Sequence, residues 1–411
     1  VDMAKGIDYS KWDKMNFDSD SDDSDGEPRK KEVAKQATPV APQAVSHTPP
    51  GFASLAPPLS EILPGALGIL TKCESISIDD SAIAALKSKV DASTVQQATA
   101  FARITLPFKL SAVERANFIG LGHLLDVGSG WAEQIMASSG KMEHPLCGTS
   151  NLFEPALMGL VTAVMNGRSL DTEDLNALTK FELAEWTGLP LTQAKEIAPA
   201  MTQDVPSDLA PLIDSHFRTL SQTARVLRER GFKSLGHFLF STSRSGHGGS
   251  ADAEQPRSSE EVVGRIVDAF PHLVDDAGLT PLAFLRRAQG MAHATHLAVA
   301  GSCTLADEDG LTADAGPMQI LALRSLGVIK VSGVLATQLE AGTPLQSGSE
   351  HEVALRSAAI VAADSIAKQL SVTPRGVGLW LLDTARRLIT QPDEAGSGRL
   401  KLHVCQNTTN Y

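Results

Sequence analysis

The amino-acid sequence predicts an all-α, multi-helix globular domain preceded by a disordered acidic tail. Three observations predict this arrangement. Apolar residues recur three and four positions apart over most of the chain after residue 64, which is the spacing of a buried helix face. Alternating patterns rich in β-branched residues are nearly absent, and Val328–Val334 is the one weak strand candidate. The first 60 residues, finally, have the composition of an unfolded segment.

Residues 1–60 are predicted to form the disordered tail. Aspartates alternate with serines over residues 18–25, a short basic run follows at 29–31, and a stretch rich in Ala, Pro and Thr continues to Pro58. Such a segment cannot bury enough apolar surface to offset the entropy that is lost when it becomes ordered.

Amphipathic helices are predicted throughout residues 65–411, which we interpret as one helical domain. The clearest helical patterns are Ser81–Val90, Glu260–Phe270, Gly316–Leu326, Glu352–Leu370 and Gly378–Ile389. Asp171 stands at one predicted helix start and Ser258 or Ser259 at another, where their side chains can cap the first turn. The Gly- and Ser-rich residues 241–259 interrupt the helical pattern, so we predict a flexible loop there.

Composition and charge limit the classes of function. The 411-residue chain has 36 basic and 48 acidic residues, a net charge of −12, so direct nucleic-acid binding is not expected. Its four cysteines show no CxxC or zinc-ribbon spacing, which argues against a disulfide scaffold or structural zinc. No run of apolar residues long enough for a membrane span and no secretory signal is visible. We therefore expect a cytoplasmic protein, with the nucleus as the alternative.

A glycine-rich segment offers a first alternative for the chemistry. Leu124–Trp131 reads LLDVGSGW, which is similar to the first motif of S-adenosylmethionine-dependent methyltransferases. That motif follows a strand, whereas Val113–His123 is not a β-branched run, and no strand–helix–strand alternation comes after it. The third glycine of the motif is Ala132 here. A parallel sheet with Asp126–Gly130 at a strand end would support this alternative.

A metal site is a second alternative. His293 and His296 lie three residues apart on a predicted helix, with Cys303 nearby, and such a spacing can bring two imidazoles to one metal ion. No third ligand is evident, and packing or surface exposure explains the pair more simply. We therefore expect no metal site and no cofactor.

The acidic head of the chain has a resemblance of its own. Residues 6–25, GIDYSKWDKMNFDSDSDDSD, resemble the N-terminus of the kinase-specific co-chaperone family in a Tyr-Ser-x-Trp-Asp motif followed by an acidic serine cluster. The helical body of that family does not follow, so a solvated acidic tail is the alternative. The resemblance implies a contact with a kinase or a chaperone through the head.

An ordered series of motifs runs through the second half of the chain. It consists of FLRRAQ at 284–289, LTADAGPMQILALRSL at 311–326, EVALR at 352–356 and LLDTAR at 381–386. In order and spacing, over roughly residues 70–411, the chain resembles the queuosine salvage family, whose members hydrolyse queuosine 5′-phosphate to queuine and ribose 5-phosphate. The resemblance implies an all-α fold of the base-excision-glycosylase-like kind and a role in salvage of the tRNA modification queuosine.

Seven residues are the candidate site residues. Asp314 is the candidate catalytic residue, because an ionised carboxylate can stabilise the positive charge that develops on the sugar during N-glycosidic cleavage. The candidate substrate-binding residues are Gln289, Arg287, Arg356, Phe284, Trp131 and Trp380. The arginines could bind a 5′-phosphate bidentately, and the aromatic rings could stack on the base. The alternative for Asp314 is a helix N-cap, and the alternative for the arginines is ordinary helix-surface charge.

The chain also departs from the family pattern. Ala294 and His296 stand where the family has Asp and Trp, Ala315 replaces an aromatic residue, and Gly378 replaces an Asp. These departures support an alternative from another class, a catalytically inactive helical interaction module that kept the fold. The retained Asp314 supports the enzyme.

Overall fold

The computed structural model describes most of the chain between residues 58 and 406. The described residues are 58–101, 109–131, 134–135, 153–245, 255–275, 282–298, 305–390 and 402–406. All of them belong to a compact unit that spans Ala53–Tyr411. The predicted tail therefore lies almost entirely outside the described residues, and its disorder stays a prediction.

Helices dominate the described residues, which confirms the predicted all-α fold. Their bounds are α1 Leu59–Leu70, α2 Asp80–Leu86, α3 Ala92–Phe101, α4 Ala112–Leu124, α5 Phe153–Met165, α6 Thr172–Ala177, α7 Lys180–Thr187, α8 Ala210–Glu229, α9 Leu235–Ser243, α10 Ser259–Ala269, α11 Arg286–Ala298, α12 Pro317–Ser325, α13 Gly333–Ala341, α14 Glu350–Leu370 and α15 Pro374–Thr390. Short 3-10 turns lie at Ser129–Trp131, Pro271–Leu273 and Glu308–Gly310. Among these helices, none combines the length and the apolar character that a membrane crossing requires.

The described strands form short pairs only. Their bounds are β1 Ile76–Ile78, β2 Thr192–Ala198, β3 Met201–Pro206, β4 Arg244–Ser245, β5 Gln255–Pro256, β6 Ile329–Val331, β7 Leu345–Gln346 and β8 Cys405–Gln406. β1 pairs with β6, β2 with β3 and β4 with β5, all antiparallel, and Ile76 lies opposite Val331 in the first pair. β7 and β8 are parallel. The weak strand candidate Val328–Val334 is thus confirmed as β6.

This topology argues against the methyltransferase alternative for Leu124–Trp131. Asp126 follows the end of α4 instead of a strand, and a 3-10 turn comes next. A cofactor-binding doubly wound fold needs several neighbouring parallel strands, and the described residues form no such sheet. A tight turn explains the glycine at position 128 instead. Gly128 adopts a φ of 105°, a backbone conformation that favours glycine.

Side-chain caps explain where several helices begin. Asp171 caps α6 by accepting a hydrogen bond of 2.9 Å from the backbone N–H of Asp174, as the sequence predicts. Ser258, the first of the two predicted serines, caps α10 in the same way. Ser111 and Glu114 form a capping box at the start of α4. Each such cap stabilises its helix by about 1 kcal/mol.

Two predicted boundaries differ from the observed ones. α1 begins at Leu59, directly after Pro58, so the tail boundary expected at residue 60 falls inside a helix whose first residue is buried. The loop expected at 241–259 is shorter, because α9 continues to Ser243 and α10 begins at Ser259. Between these helices, β4 and β5 pair with each other, and residues 246–254 lie outside the described residues.

The core centres on α14. Alanine and branched apolar residues cover most of the surface of this 21-residue helix, and it is buried on nearly all sides. It packs against α1, α2, α12 and α15. These contacts bring the start of α15 and the loop before α12 next to one another, and this is where the candidate site lies.

A second group of contacts joins α4 to α9 and α11. Gly236 allows the close approach of α9, because a Cβ at this position would lie 2.1 Å from the carbonyl oxygen of Val113. The buried Asn117 side chain then accepts a hydrogen bond of 3.1 Å from the Gly236 N–H and donates one of 2.9 Å to the Leu170 carbonyl. α4 is thereby fixed with its C-terminal end towards α11.

Buried histidines make the stability of the fold depend on pH. His216 and His403 are each 3% exposed. Burial lowers the pKa of His216 to about 4 and that of His403 to about 3, whereas an exposed histidine of the unfolded chain has a pKa of about 6.5. Below that pH the unfolded state binds more protons than the folded state. The free energy of unfolding should therefore fall by about 1.4 kcal/mol per pH unit for each of these imidazoles.

Urea unfolding between about pH 7 and about pH 5.5 measures this dependence in a window above the titration of most carboxylates. The unfolding midpoint should move to lower urea as the pH falls. His216→Gln should reduce the slope, because one buried imidazole is then absent. A midpoint that stays constant over this range would show that the imidazoles are not held neutral.

Candidate active site

Asp314 lies in the loop between the 3-10 turn Glu308–Gly310 and α12. The helix begins at Pro317, and its N-cap residue is Gly316, which offers no side chain for capping. The N-cap alternative for Asp314 is therefore wrong, because the carboxylate does not hold the start of the helix. The side chain is 20% exposed and lies close to α11 instead.

The Asp314 carboxylate has one charged neighbour and one unsatisfied oxygen. Its Oδ2 atom lies 3.6 Å from Nη1 of Arg286. Its Oδ1 atom is buried and has no hydrogen-bond partner among the residues that the structure describes. An unsatisfied buried acceptor costs about 1–3 kcal/mol, so a polar ligand group that donates to this oxygen would gain a hydrogen bond.

Arg286, the first residue of α11, connects Asp314 to the end of α4. Its Nη1 atom donates to Oδ2 of Asp126 at 2.8 Å, and its Nη2 atom donates to the Asp126 carbonyl oxygen. Burial disfavours the guanidinium charge, but Asp126 and Asp314 outweigh that effect and raise the pKa of Arg286. Asp126, Arg286 and Asp314 therefore form an ionic triad in which Asp126 and Arg286 are buried and Asp314 is partly exposed.

Gln289 fixes the loop that carries Asp314. Its side chain is 1% exposed. The Nε2 atom donates to the Phe284 carbonyl oxygen at 2.8 Å, and the Oε1 atom accepts from the backbone N–H of Thr312 at 2.8 Å. Thr312 precedes Asp314 by two residues, so Gln289 lies near the catalytic candidate. Because the protein itself uses both ends of the amide, the geometry favours a positioning role over contact with substrate.

His293, one helical turn further along α11, holds the beginning of the same loop. Its Nε2 atom lies 2.9 Å from Oε1 of Glu308, and this hydrogen bond lowers the pKa of Glu308. Nδ1 of His296 instead accepts from the Leu305 N–H at 3.0 Å. The two imidazoles thus bind different partners, and no metal-site grouping occurs within the described ranges, which do not include Cys303.

Arg356 and Phe284 lie in the core behind α11. The Arg356 guanidinium is fully buried, forms an ion pair with Asp275, and lies 3.7 Å from Oε1 of Glu352. It also lies 4.0 Å from the ring centre of Phe284, which is 2% exposed. The cation predicted to bind a 5′-phosphate is thus held by protein groups, and one face of the ring predicted to stack on the base is covered.

The other three predicted residues form no hydrogen bond or ion pair with the triad within the described part of the chain. Arg287 is 5% exposed and donates from Nη2 to the His272 carbonyl at 3.0 Å, and burial lowers its pKa to about 10. Trp380 is buried within α15, whereas Trp131 is half-buried in its 3-10 turn. No ion pair joins Asp314 to Arg287 in the described part of the chain.

Sequence reasoning missed Arg375, in the first turn of α15. Its side chain is 5% exposed, and its Nε atom has no hydrogen-bond partner among the described residues. The guanidinium packs on α11, where a Cβ on Gly290 would lie 3.2 Å from Nη2. Gly378, one turn further along α15, contacts the Asp314 loop so closely that a Cβ there would lie 3.1 Å from the Asp314 nitrogen. Burial lowers the pKa of Arg375, and Asp314 opposes this shift.

Arg286 and Asp126 were also missed. Arg286 stands beside Arg287 in the FLRRAQ motif, and neighbouring side chains on a helix point about 100° apart, so only one of them faces Asp314. Asp126 lies in the glycine-rich segment that is similar to a cofactor motif. Its pairing with a residue 160 positions away leaves no signal in local periodicity.

A cleft of about 710 Å³ lies beside this cluster. Pro374 and Gly376, the neighbours of Arg375, are among the residues that line it. The charged lining residues are Glu308, Asp309, Asp364 and Lys368. Asp314 does not line this cleft.

The comparisons with known proteins do not extend to the acidic head. No curated protein matches the chain. The resemblance of residues 6–25 to kinase-specific co-chaperones has no support, and these residues lie outside the described ones. A contact with a kinase or a chaperone therefore stays a prediction.

The helical body, in contrast, matches a known family. Residues 173–377 match the family model described as queuosine salvage protein. The matched region spans about half of the chain and contains Arg286, Asp314 and Arg375, whereas Asp126 lies before it. The order of motifs, the helical fold and this match agree with one another. The chain belongs to the queuosine salvage protein family.

Proposed function

We propose that this protein hydrolyses the N-glycosidic bond of queuosine 5′-phosphate and releases queuine. Membership of the family supports a role in queuosine salvage and a small, nucleotide-related ligand. The observation that carries the proposal is the Asp314 carboxylate, which has a buried oxygen without a partner among the described residues. Buried oxygens of purely structural carboxylates are as a rule satisfied within the protein.

The chemistry of the reaction explains why a carboxylate is needed. The bond between the anomeric carbon of the sugar and the base nitrogen breaks, and its electron pair leaves with the base. Positive charge develops on the sugar ring, and an ionised carboxylate beside the anomeric carbon stabilises it. Water then adds its oxygen to the anomeric carbon, and the base nitrogen gains a proton. The products are queuine and ribose 5-phosphate.

Arg286 suits Asp314 to this task. Its guanidinium is anchored on Asp126, with the shorter contact of 2.8 Å to that carboxylate and the longer one of 3.6 Å to Asp314. The arginine therefore orients Asp314 without forming a close pair with it. Negative charge on Asp314 thus remains for the developing charge on the sugar.

The base requires an aromatic surface, and Trp131 is the best candidate among the three predicted rings. Phe284 and Trp380 are 2% and 3% exposed, so their faces are taken up by the core. Trp131 is half-buried and lies in the 3-10 turn that follows Asp126 by a few residues. Stacking on its indole ring would hold the base close to the triad.

One observation favours the alternative of an inactive helical interaction module. Gly378 stands where the resemblance gives a carboxylate, and a Cβ there would lie 3.1 Å from the Asp314 nitrogen, so a longer side chain would require the Asp314 loop to shift. Ala315, where the family has an aromatic residue, is 2% exposed. If these two losses abolished turnover, the protein would bind the nucleotide or another partner without cleaving it.

Incubation of the purified full chain with queuosine 5′-phosphate distinguishes the two functions. Mass spectrometry should detect free queuine and ribose 5-phosphate in equal amounts. Adenosine 5′-phosphate is the control nucleotide and should remain intact. Recovery of all the queuosine 5′-phosphate unchanged would overturn the proposed hydrolysis and leave the interaction module.

We also propose that the protein is cytoplasmic. We further propose that it binds a free nucleotide and not intact nucleic acid. The net charge of −12 supports the second point, because binding to a phosphate backbone depends on a surplus of basic residues.

A further inference from the structure

Arg375 is an unusual residue within the described part of the chain. It is 5% exposed, yet it makes no hydrogen bond or ion pair with any described residue, and its Nε atom is buried. Arg286 and Arg356, in contrast, are both paired with buried carboxylates. A buried charge without a partner is costly, and it persists where an opposite charge can join it.

Arg375 lies beside the loop that carries Asp314, the catalytic candidate. Its guanidinium packs on Gly290, the neighbour of the residue that fixes the Asp314 loop. Gly378, three residues along the same helix, contacts the backbone of Asp314 itself. Arg375 therefore lies beside the loop that carries the carboxylate, but it does not form an ion pair with that carboxylate.

The cleft next to α15 limits what can approach Arg375. Pro374 and Gly376, the two chain neighbours of Arg375, line the cleft, whereas Arg375 itself is 5% exposed and packs on Gly290. The described lining carries three carboxylates and one lysine, and that lysine is paired with Asp364 at 2.7 Å. The carboxylates of this lining would repel an anionic group, whereas the positive charge of Arg375 would attract it.

We infer that Arg375 binds the 5′-phosphate of the nucleotide, a role that the sequence assigned to Arg287 and Arg356. This inference rests on the proposed nucleotide substrate. A guanidinium offers a planar fork of N–H donors that matches two phosphate oxygens. The phosphate would supply the charge that Arg375 lacks and hold the sugar next to Asp314.

Binding of ribose 5-phosphate, a product of the proposed reaction, tests the inference without turnover. The full chain should be titrated with ribose 5-phosphate, and with ribose as the control that lacks phosphate, while the melting temperature is followed. Arg375→Met has nearly the same length and removes only the unpaired charge, so it should keep the helical signal. Arg387→Met, on the same helix but in an exposed pair with Asp383, is the matched control.

Ribose 5-phosphate should raise the melting temperature of the wild type and of Arg387→Met, and ribose should not. Arg375→Met should bind ribose 5-phosphate roughly ten- to a hundredfold more weakly. Arg375→Lys, which keeps the charge but loses the planar fork, should be intermediate. Equal affinity of Arg375→Met and the wild type, or no effect of ribose 5-phosphate on the wild type, would overturn the inference.

The hydrolysis assay separates this inference from the proposed function. If Arg375 binds the phosphate, Arg375→Met should raise KM for queuosine 5′-phosphate much more than KM for unphosphorylated queuosine. An equal loss of activity on both substrates would show that Arg375 only positions Asp314, and would overturn the inference. Phosphate binding by Arg375 without any release of queuine would instead refute the proposed hydrolysis alone.

Discussion

Replacement of Asp314 by Asn is expected to lower the rate of queuine release roughly a hundred- to a thousandfold. The amide keeps the size of the carboxylate but removes the negative charge that faces the sugar in the transition state. The melting temperature should stay nearly unchanged, because Asp314 does not cap α12 and Arg286 keeps its closer contact with Asp126. Initial rates and thermal unfolding of the same samples measure the two effects.

Asp383→Asn is the matched control for this substitution. Asp383 is 42% exposed and pairs with Arg387 on the surface of α15, so the same chemical change there should leave the rate of release unaltered. A wild-type rate in Asp314→Asn would remove Asp314 from the mechanism. A large fall in its melting temperature would indicate a structural role instead.

Replacement of Arg356 by Met is expected to destabilise the protein by about 3–5 kcal/mol. The substitution leaves Asp275 and Glu352, which are 1% and 2% exposed, without their buried cation. It also removes the contact of the guanidinium with the Phe284 ring. Asp275 accepts from the N–H of Arg286 as well, at 3.3 Å, so the start of α11 should be disturbed together with the core.

Urea unfolding of Arg356→Met and Arg387→Met provides the comparison. Both arginines pair with a carboxylate four residues earlier on the same helix, but the Arg387 side chain is 56% exposed. An exposed pair of this kind contributes about 0–1 kcal/mol. If the two substitutions destabilised the chain equally, the buried ion pairs of Arg356 would not have the structural importance assigned to them.

Local sequence patterns were sufficient for most of the helical fold. The spacing of apolar residues predicted α10 and α14 to within two residues of their observed starts, and Asp171 and Ser258 marked helix starts correctly. Local patterns failed where the chain makes long-range contacts or close turns. The turn at Gly128 resembles a cofactor motif in sequence because both need backbone conformations that favour glycine.

Less of the candidate site than of the fold could be predicted from the sequence. Asp314 was found through the order of motifs, but its neighbours depend on tertiary contacts. Asp126 pairs with Arg286 across 160 residues, and Arg375 reaches the loop only because α15 packs beside it. Arg356 was predicted to bind the phosphate because the sequence does not show that its guanidinium forms an ion pair with Asp275.

The central claim is that the Asp314 site turns over queuosine 5′-phosphate. The most direct test is the number of queuine molecules released per protein chain when the nucleotide is in large excess, measured for the wild type and Asp314→Asn in parallel. We expect the wild type to release many molecules of queuine per chain. In the same time, Asp314→Asn should release roughly a hundred- to a thousandfold fewer. No release by the wild type, or equal release by the two proteins, would contradict the claim.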